Sequence, residues 1–365
     1  MILMNDFQSE PIEIREAMML ATQRVFNSGH YVLGEELQKF EQIWAQTCRV
    51  AYGLGVGSGL DAIEIALRAL NIGPSDEVIT TPMTAFATVL AIIRAGATPV
   101  LADIEPDTAL LSIQSVRRCL SPRTKAVLLV HLYGQVRCMQ EWLDFCNSND
   151  IALIEDCAQA HLAQWQGQYA GTFSRVGTYS FYPTKNLGAI GDGGMVVTND
   201  ETLARKVVCL RNYGQSQRYH HSELGMNSRL DELQAALLIE RLKWLPEFTR
   251  RRREIASAYH TGLCHPKVRL LALPQEKSSH VYHLFPIVCE HRNELQAHLQ
   301  ANNIQSLIHY PIPIHQQEIC RSLARDPHGL INSEYHANTC LSIPCHPQMS
   351  NHDLSQVIDV INSFK

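Results

Sequence analysis

Along the first part of the chain, apolar residues recur three and four positions apart. Over residues 11–27, 35–47 and 60–70 this spacing predicts amphipathic helices, with Pro11 suited to a first helical turn. From residue 77 the period changes. Short β-branched runs (77–80, 99–103, 125–131, 151–155) alternate with helical stretches (84–94, 112–120, 138–147), the pattern of β-α-β units and a mostly parallel sheet. Two more strand-like runs, 177–181 and 195–198, bracket a polar, glycine-rich loop. Helical periodicity returns over 201–211 and 230–263, the second stretch expected to kink at Pro246. Beyond residue 263 prolines and histidines become frequent, and a strand (281–289) mixes with a helix (293–301). The expected fold class is α/β, a mostly parallel central sheet sandwiched by helices. Residues 1–249 are expected to form a large domain and residues 250–365 a smaller α+β domain.

Length and composition narrow the class. A chain of 365 residues can bury roughly three quarters of its unfolded surface and supply two domains of about 150 residues. The net charge is -5 and neither half carries a long charged block, so there is no broad electrostatic argument for nucleic acid or an anionic membrane. The one basic run, Arg250, Arg251, Arg252 and Arg253, falls inside a helical pattern and reads as a solvated helix face. Eleven scattered cysteines without a C-x-x-C pair argue against a disulfide framework or zinc ribbon and for a reducing, cytoplasmic setting. Residues 1–10 lack an apolar signal region and no run of eighteen apolar residues occurs, so neither export nor membrane insertion is expected.

Three segments carry candidate chemistry. Lys185 lies in the loop Ser180-Phe181-Tyr182-Pro183-Thr184-Lys185-Asn186-Leu187-Gly188-Ala189. Lysine attacks carbonyls only as the neutral amine, which a semi-enclosed pocket favours, although most lysines are solvated surface charges. Gly57-Ser58-Gly59 leads into a helix, where backbone N–H groups and the helix N-terminus suit a phosphate. A plain tight turn fits the same residues, since no G-K-S/T follows and the third glycine of a dinucleotide fingerprint is missing. Asp156 ends an apolar strand, where it can face a cationic heteroaromatic nitrogen or serve as a helix N-cap. Ligands of parallel sheets bind beyond the carboxyl ends of strands, where all three segments fall. Phosphate loop, aspartate and lysine, in that order, match the phosphate, pyridine nitrogen and aldehyde of pyridoxal 5'-phosphate.

Longer motifs extend the match over nearly the whole chain. They include Ser28-Gly29-His30-Tyr31-Val32-Leu33-Gly34, His131-Leu132-Tyr133-Gly134-Gln135, the run from Glu155 to His161, Asn227-Ser228-Arg229-Leu230-Asp231-Glu232 and His309-Tyr310-Pro311-Ile312-Pro313. On these residues the chain resembles the DegT/DnrJ/StrS nucleotide-sugar aminotransferases, enzymes of the aspartate aminotransferase fold (pyridoxal-phosphate fold type I). The resemblance implies that Lys185 bonds covalently to the cofactor and then shuttles a substrate proton, while Asp156 keeps the pyridine nitrogen protonated. It implies that Gln159 reaches the phenolic oxygen and that Gly57, Ser58, Gly59 and Ser180 hold the phosphate. Asn227 matches a residue that crosses from the neighbouring subunit, with Arg229 assisting, which implies a homodimer with shared active sites. His309, Tyr310 and His315 lie in the segment that closes over the sugar nucleotide, and Tyr31 and Tyr182 complete the implied substrate-binding set.

One departure concerns the ring face. The family places an aromatic after a threonine to stack on the pyridine; here Thr84 is followed by Ala85, with Phe86 one position later. Phe86 either takes over the stacking through a local shift or belongs to the core. No metal site is predicted: His280 and His283 have H-x-x-H spacing but lack the other ligands of a zinc pattern. His220 and His221 are read as part of a loop near the subunit boundary.

The implied reaction transfers the amino group of L-glutamate, released as 2-oxoglutarate, through pyridoxamine phosphate to a keto sugar linked to a nucleoside diphosphate. Residues 181–194 resemble the branch acting on 3-keto sugars, which favours a dTDP-3-keto-6-deoxyhexose. The alternatives are a UDP-linked 3-keto sugar, amination at C4 of a UDP- or dTDP-4-keto sugar, and a non-catalytic sugar-nucleotide-binding regulator. A related sugar dehydratase would carry histidine at position 185, and a nicotinamide dehydrogenase would need the intact glycine fingerprint.

Overall fold

A computed structural model describes residues 1–365. The large sheet is built from β1 (Tyr52–Val56), β2 (Glu77–Thr80), β3 (Thr98–Leu101), β4 (Thr124–Val130), β5 (Ala152–Asp156), β6 (Val176–Ser180) and β7 (Gly194–Thr198). The C-terminal part adds β8 (Arg269–Leu270), β9 (Phe285–Val288), β10 (Ala324–Arg325) and β11 (Cys340–Ile343). The strand order of the large sheet is β1-β7-β6-β5-β4-β2-β3-β10, with β7 antiparallel to both neighbours and every other pairing parallel. A second sheet runs β8-β9-β11, all antiparallel.

Alternation along the strands explains the layers. In β4, Val127 and Leu129 enter one apolar core, with residues from α2 (Glu35–Cys48), α6 (Met139–Ser148) and α8 (Glu232–Leu242). Ala126 and Leu128 enter the opposite core, with residues from α3 (Gly59–Ala69), α4 (Phe86–Arg94) and α7 (Glu201–Arg211). A third core gathers Ile255, Tyr259, Phe285, Ile287, Leu295, Leu341, Leu354 and Val357, and is joined by Ile2 from the N-terminus.

Two expectations are corrected and one strand is added. The strand β1 falls in a stretch with no predicted element. Its Y-G-L-G-V sequence has glycine at the two positions that face α2: a Cβ at Gly55 would come 2.7 Å from Leu37 Cδ1. The long helix over 230–263 is two helices, α8 and α9 (Leu245–Gly262), and Pro246 opens the second instead of kinking one. Proline's missing N–H is harmless only in a first turn. The strand expected over 281–289 is only Phe285–Val288. Residues 281 and 283 instead bond to the large domain, Val281 N to Gly134 O and His283 N to Tyr133 O, each at 3.0 Å. Residue 250 lies within α9, and β10 returns to the edge of the large sheet.

Candidate active site

The carboxyl ends of β1, β5 and β6 bring the three candidate segments together. Ser58 caps α3 by accepting from Asp61 N at 3.1 Å, and Gly57 N donates to Ser228 Oγ at 2.9 Å. Ser228 in turn donates to Asp61 Oδ2 at 2.8 Å, which fixes the turn from behind. Gly59 lies against the end of β6 so closely that a Cβ would come 2.5 Å from Ser180 Cβ. The first N–H groups of a helix have no partner within it and carry its positive end, so this loop, with Ser180 beside it, forms an anion cradle.

Asp156 ends β5 and is buried. Its Oδ1 accepts from Ala158 N at 3.1 Å and its Oδ2 from Thr88 Oγ1 at 3.0 Å, while Thr88 Oγ1 lies 2.8 Å from Thr84 Oγ1. Burial pushes its pKa up; these two hydrogen bonds and the charges of Lys185 and His131 oppose that. Lys185 follows β6 in a turn closed by Lys185 N to Tyr182 O at 2.8 Å. Its side chain keeps some exposure, yet the surrounding protein withdraws enough water to bring the ammonium down to about 8, against the pull of Asp156. Near pH 8 about half the amines are neutral and nucleophilic.

Gln159 spans the floor. Its Oε1 accepts from Tyr133 N, and its Nε2 donates to Tyr310 OH at 3.2 Å. Tyr133 O–H donates to the His309 carbonyl at 2.6 Å and lies 2.9 Å from His336 Nε2. His309 Nδ1 is 2.9 Å from Ser342 Oγ. Gln159, His309 and Tyr310 are therefore tied into one network. His315 pairs with Glu334 at 2.9 Å, and its neighbour Ile314 belongs to an apolar cluster with Val89, Leu101, Cys320 and Leu330. Phe86 packs half-buried against that cluster as the first residue of α4, with Ala85 as the N-cap.

Other expected residues face outward. Tyr31 and Tyr182 are 54% and 52% exposed, Tyr182 within the lysine loop. Asn227 is exposed; Arg229 donates to Asn212 Oδ1 at 3.0 Å and lies over the Tyr213 ring. Neither hydrogen-bonds Lys185 within one chain. His220 and His221 are exposed in a two-stranded hairpin.

Sequence reasoning missed Thr88, Tyr133, Ser228, Asn186 and His283. Each acts through a partner distant in sequence, so no local spacing marks it. The closest approach to a metal-ligand cluster, His131, Glu155 and Cys157, is already spoken for. Glu155 accepts from Gly171 N, Phe173 N, Ser174 N and Ser174 Oγ, and lies 3.0 Å from His131 Nε2.

The arrangement suits one type of guest. The two hydrogen bonds to Asp156 are neutral and no cation bonds it, so its charge is under-compensated in a way that a protonated ring nitrogen would complete. With an anion cradle on one side and a low-pKa amine on the other, the residues present fit pyridoxal phosphate.

Comparison with known proteins identifies a family. Residues 12–362 match the DegT/DnrJ/EryC1/StrS aminotransferase family. The chain is 40% identical to a dTDP-3-amino-3,4,6-trideoxy-alpha-D-glucose transaminase of Streptomyces venezuelae, over 98% of this chain and 95% of that one. It is 39% identical to a pleiotropic regulatory protein of Geobacillus stearothermophilus, over 99% and 98%. Among solved structures, S. venezuelae DesV in complex with a ketimine intermediate superposes with a TM-score of 0.95 at 40% identity, covering 99% of this chain and 97% of that one. The chain belongs to the DegT/DnrJ/EryC1/StrS aminotransferase family.

Proposed function

We propose that this aminotransferase uses pyridoxal phosphate to move the amino group of L-glutamate onto a nucleotide-linked keto sugar, with a dTDP-3-keto-6-deoxyhexose as the favoured acceptor. The observation that carries the reading is the convergence, at neighbouring strand ends, of a lysine amine with a pKa near 8, a buried aspartate without a cationic partner and a helix-start anion cradle. The 3-amino-sugar specificity named for the S. venezuelae relative supports the acceptor and the carbon. The regulatory name of the Geobacillus relative does not displace catalysis, because a regulator would have no use for a low-pKa amine beside Asp156.

When bound, the cofactor supplies an electron sink that weakens bonds at the carbon carrying the amino group. Lys185 would hold the cofactor, then take the α-proton of the donor and return a proton to the sugar carbon, a role worth about 10² to 10⁴ in rate. Asp156, held by Thr88 and Ala158, would keep its negative charge toward the ring nitrogen. Ser58, Gly59 and Ser180 would orient the phosphate, and Gln159, held by Tyr133, would face the phenolic oxygen. His309, Tyr310, His315, Tyr31 and Tyr182 would line the sugar-nucleotide side.

A homodimer completes this reading. Exposed apolar residues on α1 (Ile12–Ser28), including Met19, Leu20 and Phe26, and the exposed Tyr219 and Leu224 near Asn227, support a second copy as their cover. No helix is long and apolar enough to cross a membrane. The cytoplasmic setting is part of the same proposal.

Full-length protein reconstituted with pyridoxal phosphate should gain a visible absorbance that L-glutamate bleaches, with one 2-oxoglutarate released per site. An unchanged spectrum and no 2-oxoglutarate would overturn the cofactor reading.

A further inference from the structure

Beside Lys185 lies a pair of side chains that the reaction scheme leaves unused. Asn186 is buried; its Nδ2 donates to Val281 O at 3.2 Å, which leaves Oδ1 as the acceptor facing His283 Nδ1 at 3.1 Å. The amide orientation therefore fixes the imidazole as the Nδ1–H tautomer. His283 is itself clamped: its N–H donates to Tyr133 O at 3.0 Å, and Arg252, buried under it, donates to the Tyr282 and His283 carbonyls at 3.2 and 3.3 Å. The segment around residues 279–283 runs along residues 133–136 of the large sheet's loop and then enters β9 of the small sheet. Two hydrogen bonds from one amide thus tie the residue after Lys185 to the junction between the two sheets.

We propose that the Asn186–His283 hydrogen bond is a latch that positions Lys185, holding its loop against the interdomain segment so that the amine stays in a water-poor setting. His283 is a positioning residue, acting through Asn186. The groups around the amine are Asp156 from β5, His161 after it, His283 from the interdomain segment and His309 from the closing segment. Burial holds all three histidines well below their usual range, and for His283 the charge of Lys185 adds to that effect. With the imidazole neutral, its influence on Lys185 is placement and not charge. Loss of the latch leaves the Asn186 oxygen buried without a donor, which loosens the loop, admits water and raises the lysine pKa toward its ordinary 10.5.

The test rests on the chain alone and is read without cofactor or substrate, so its outcome is separate from that of the transaminase reading. Full-length protein free of cofactor is pulse-labelled with acetic anhydride across pH 6 to 11, and acetylation of Lys185 is followed by mass spectrometry. His283→Leu removes the donor, Asn186→Ala removes the acceptor, and His283→Asn keeps an N–H near the place of Nδ1. His283→Leu and Asn186→Ala should each raise the Lys185 pKa by about one unit, so labelling at pH 7 slows about tenfold. His283→Asn should stay close to wild type, and the double variant should be no worse than either single one. Thermal melts confirm that each variant is folded, and Asn186→Ala carries the test should His283→Leu fail to fold. An unchanged Lys185 pKa in folded His283→Leu or Asn186→Ala would overturn the latch. So would an additive double variant, or His283→Asn behaving like His283→Leu.

Discussion

At Lys185 function and stability pull in opposite directions. Its amine titrates near 8 in the folded chain against 10.5 as a free side chain, so between those pH values the unfolded chain holds a proton that the folded one lacks. Stability of the cofactor-free protein therefore rises with pH across that window, and below it the residue opposes folding. Lys185→Met should stabilise the cofactor-free chain at pH 7 by about 2 to 3 kcal/mol, measured by urea unfolding, while lowering turnover by at least about 10³-fold. Asp156→Asn makes a parallel case. It keeps the side-chain shape between Thr88 and Ala158 but removes the charge, so transamination should fall by at least about 10²-fold while the melting temperature holds or rises. A variant with near-normal turnover would remove Asp156 from the mechanism. These two residues were legible in the sequence because each stands at the end of an apolar run, next to loop-forming residues. Thr88 and Tyr133 were not: Thr88 sits inside a helix and Tyr133 among buried apolar neighbours, and only the fold shows that one holds Asp156 and the other Gln159.

Among the elements, α3 and β6 meet where the anion cradle forms. Gly59→Ala would drive a methyl carbon into Ser180, pushing the helix start from the strand end at a cost of about 1 to 3 kcal/mol. Cofactor affinity, measured by fluorescence titration, should weaken at least tenfold, and unchanged affinity would place the phosphate elsewhere. The periodic elements were readable because their buried faces are apolar: the two alternating sets of β4 residues feed the two opposite cores, and the helical spacing of α2 and of α3 feeds one core each. The misreadings have physical causes. Two glycines hid β1, placed where α2 presses on the strand, and Pro246 reads as a kink only when the turn at Lys243 and Trp244 is overlooked.

For the whole molecule the proposal requires two chains per functional unit, since the family resemblance assigns Asn227 to the neighbouring subunit's site. Light scattering should give twice the 41.1 kDa chain mass. Mixing Lys185→Ala with Asn227→Ala under subunit exchange should yield heterodimers with one wild-type site, raising activity above the mean of the two parents. No gain would mean that Asn227 serves its own chain. The central claim, glutamate-dependent amination of a 3-keto sugar nucleotide, is tested most directly by one NMR measurement. The enzyme, pyridoxal phosphate and ¹⁵N-labelled L-glutamate are incubated with a dTDP-3-keto-6-deoxyhexose, and the position of the label in the product is read. The account predicts ¹⁵N on C3 with one 2-oxoglutarate per amino sugar; label on C4 after a 4-keto sugar is supplied, with none on C3 of the 3-keto sugar, would contradict it.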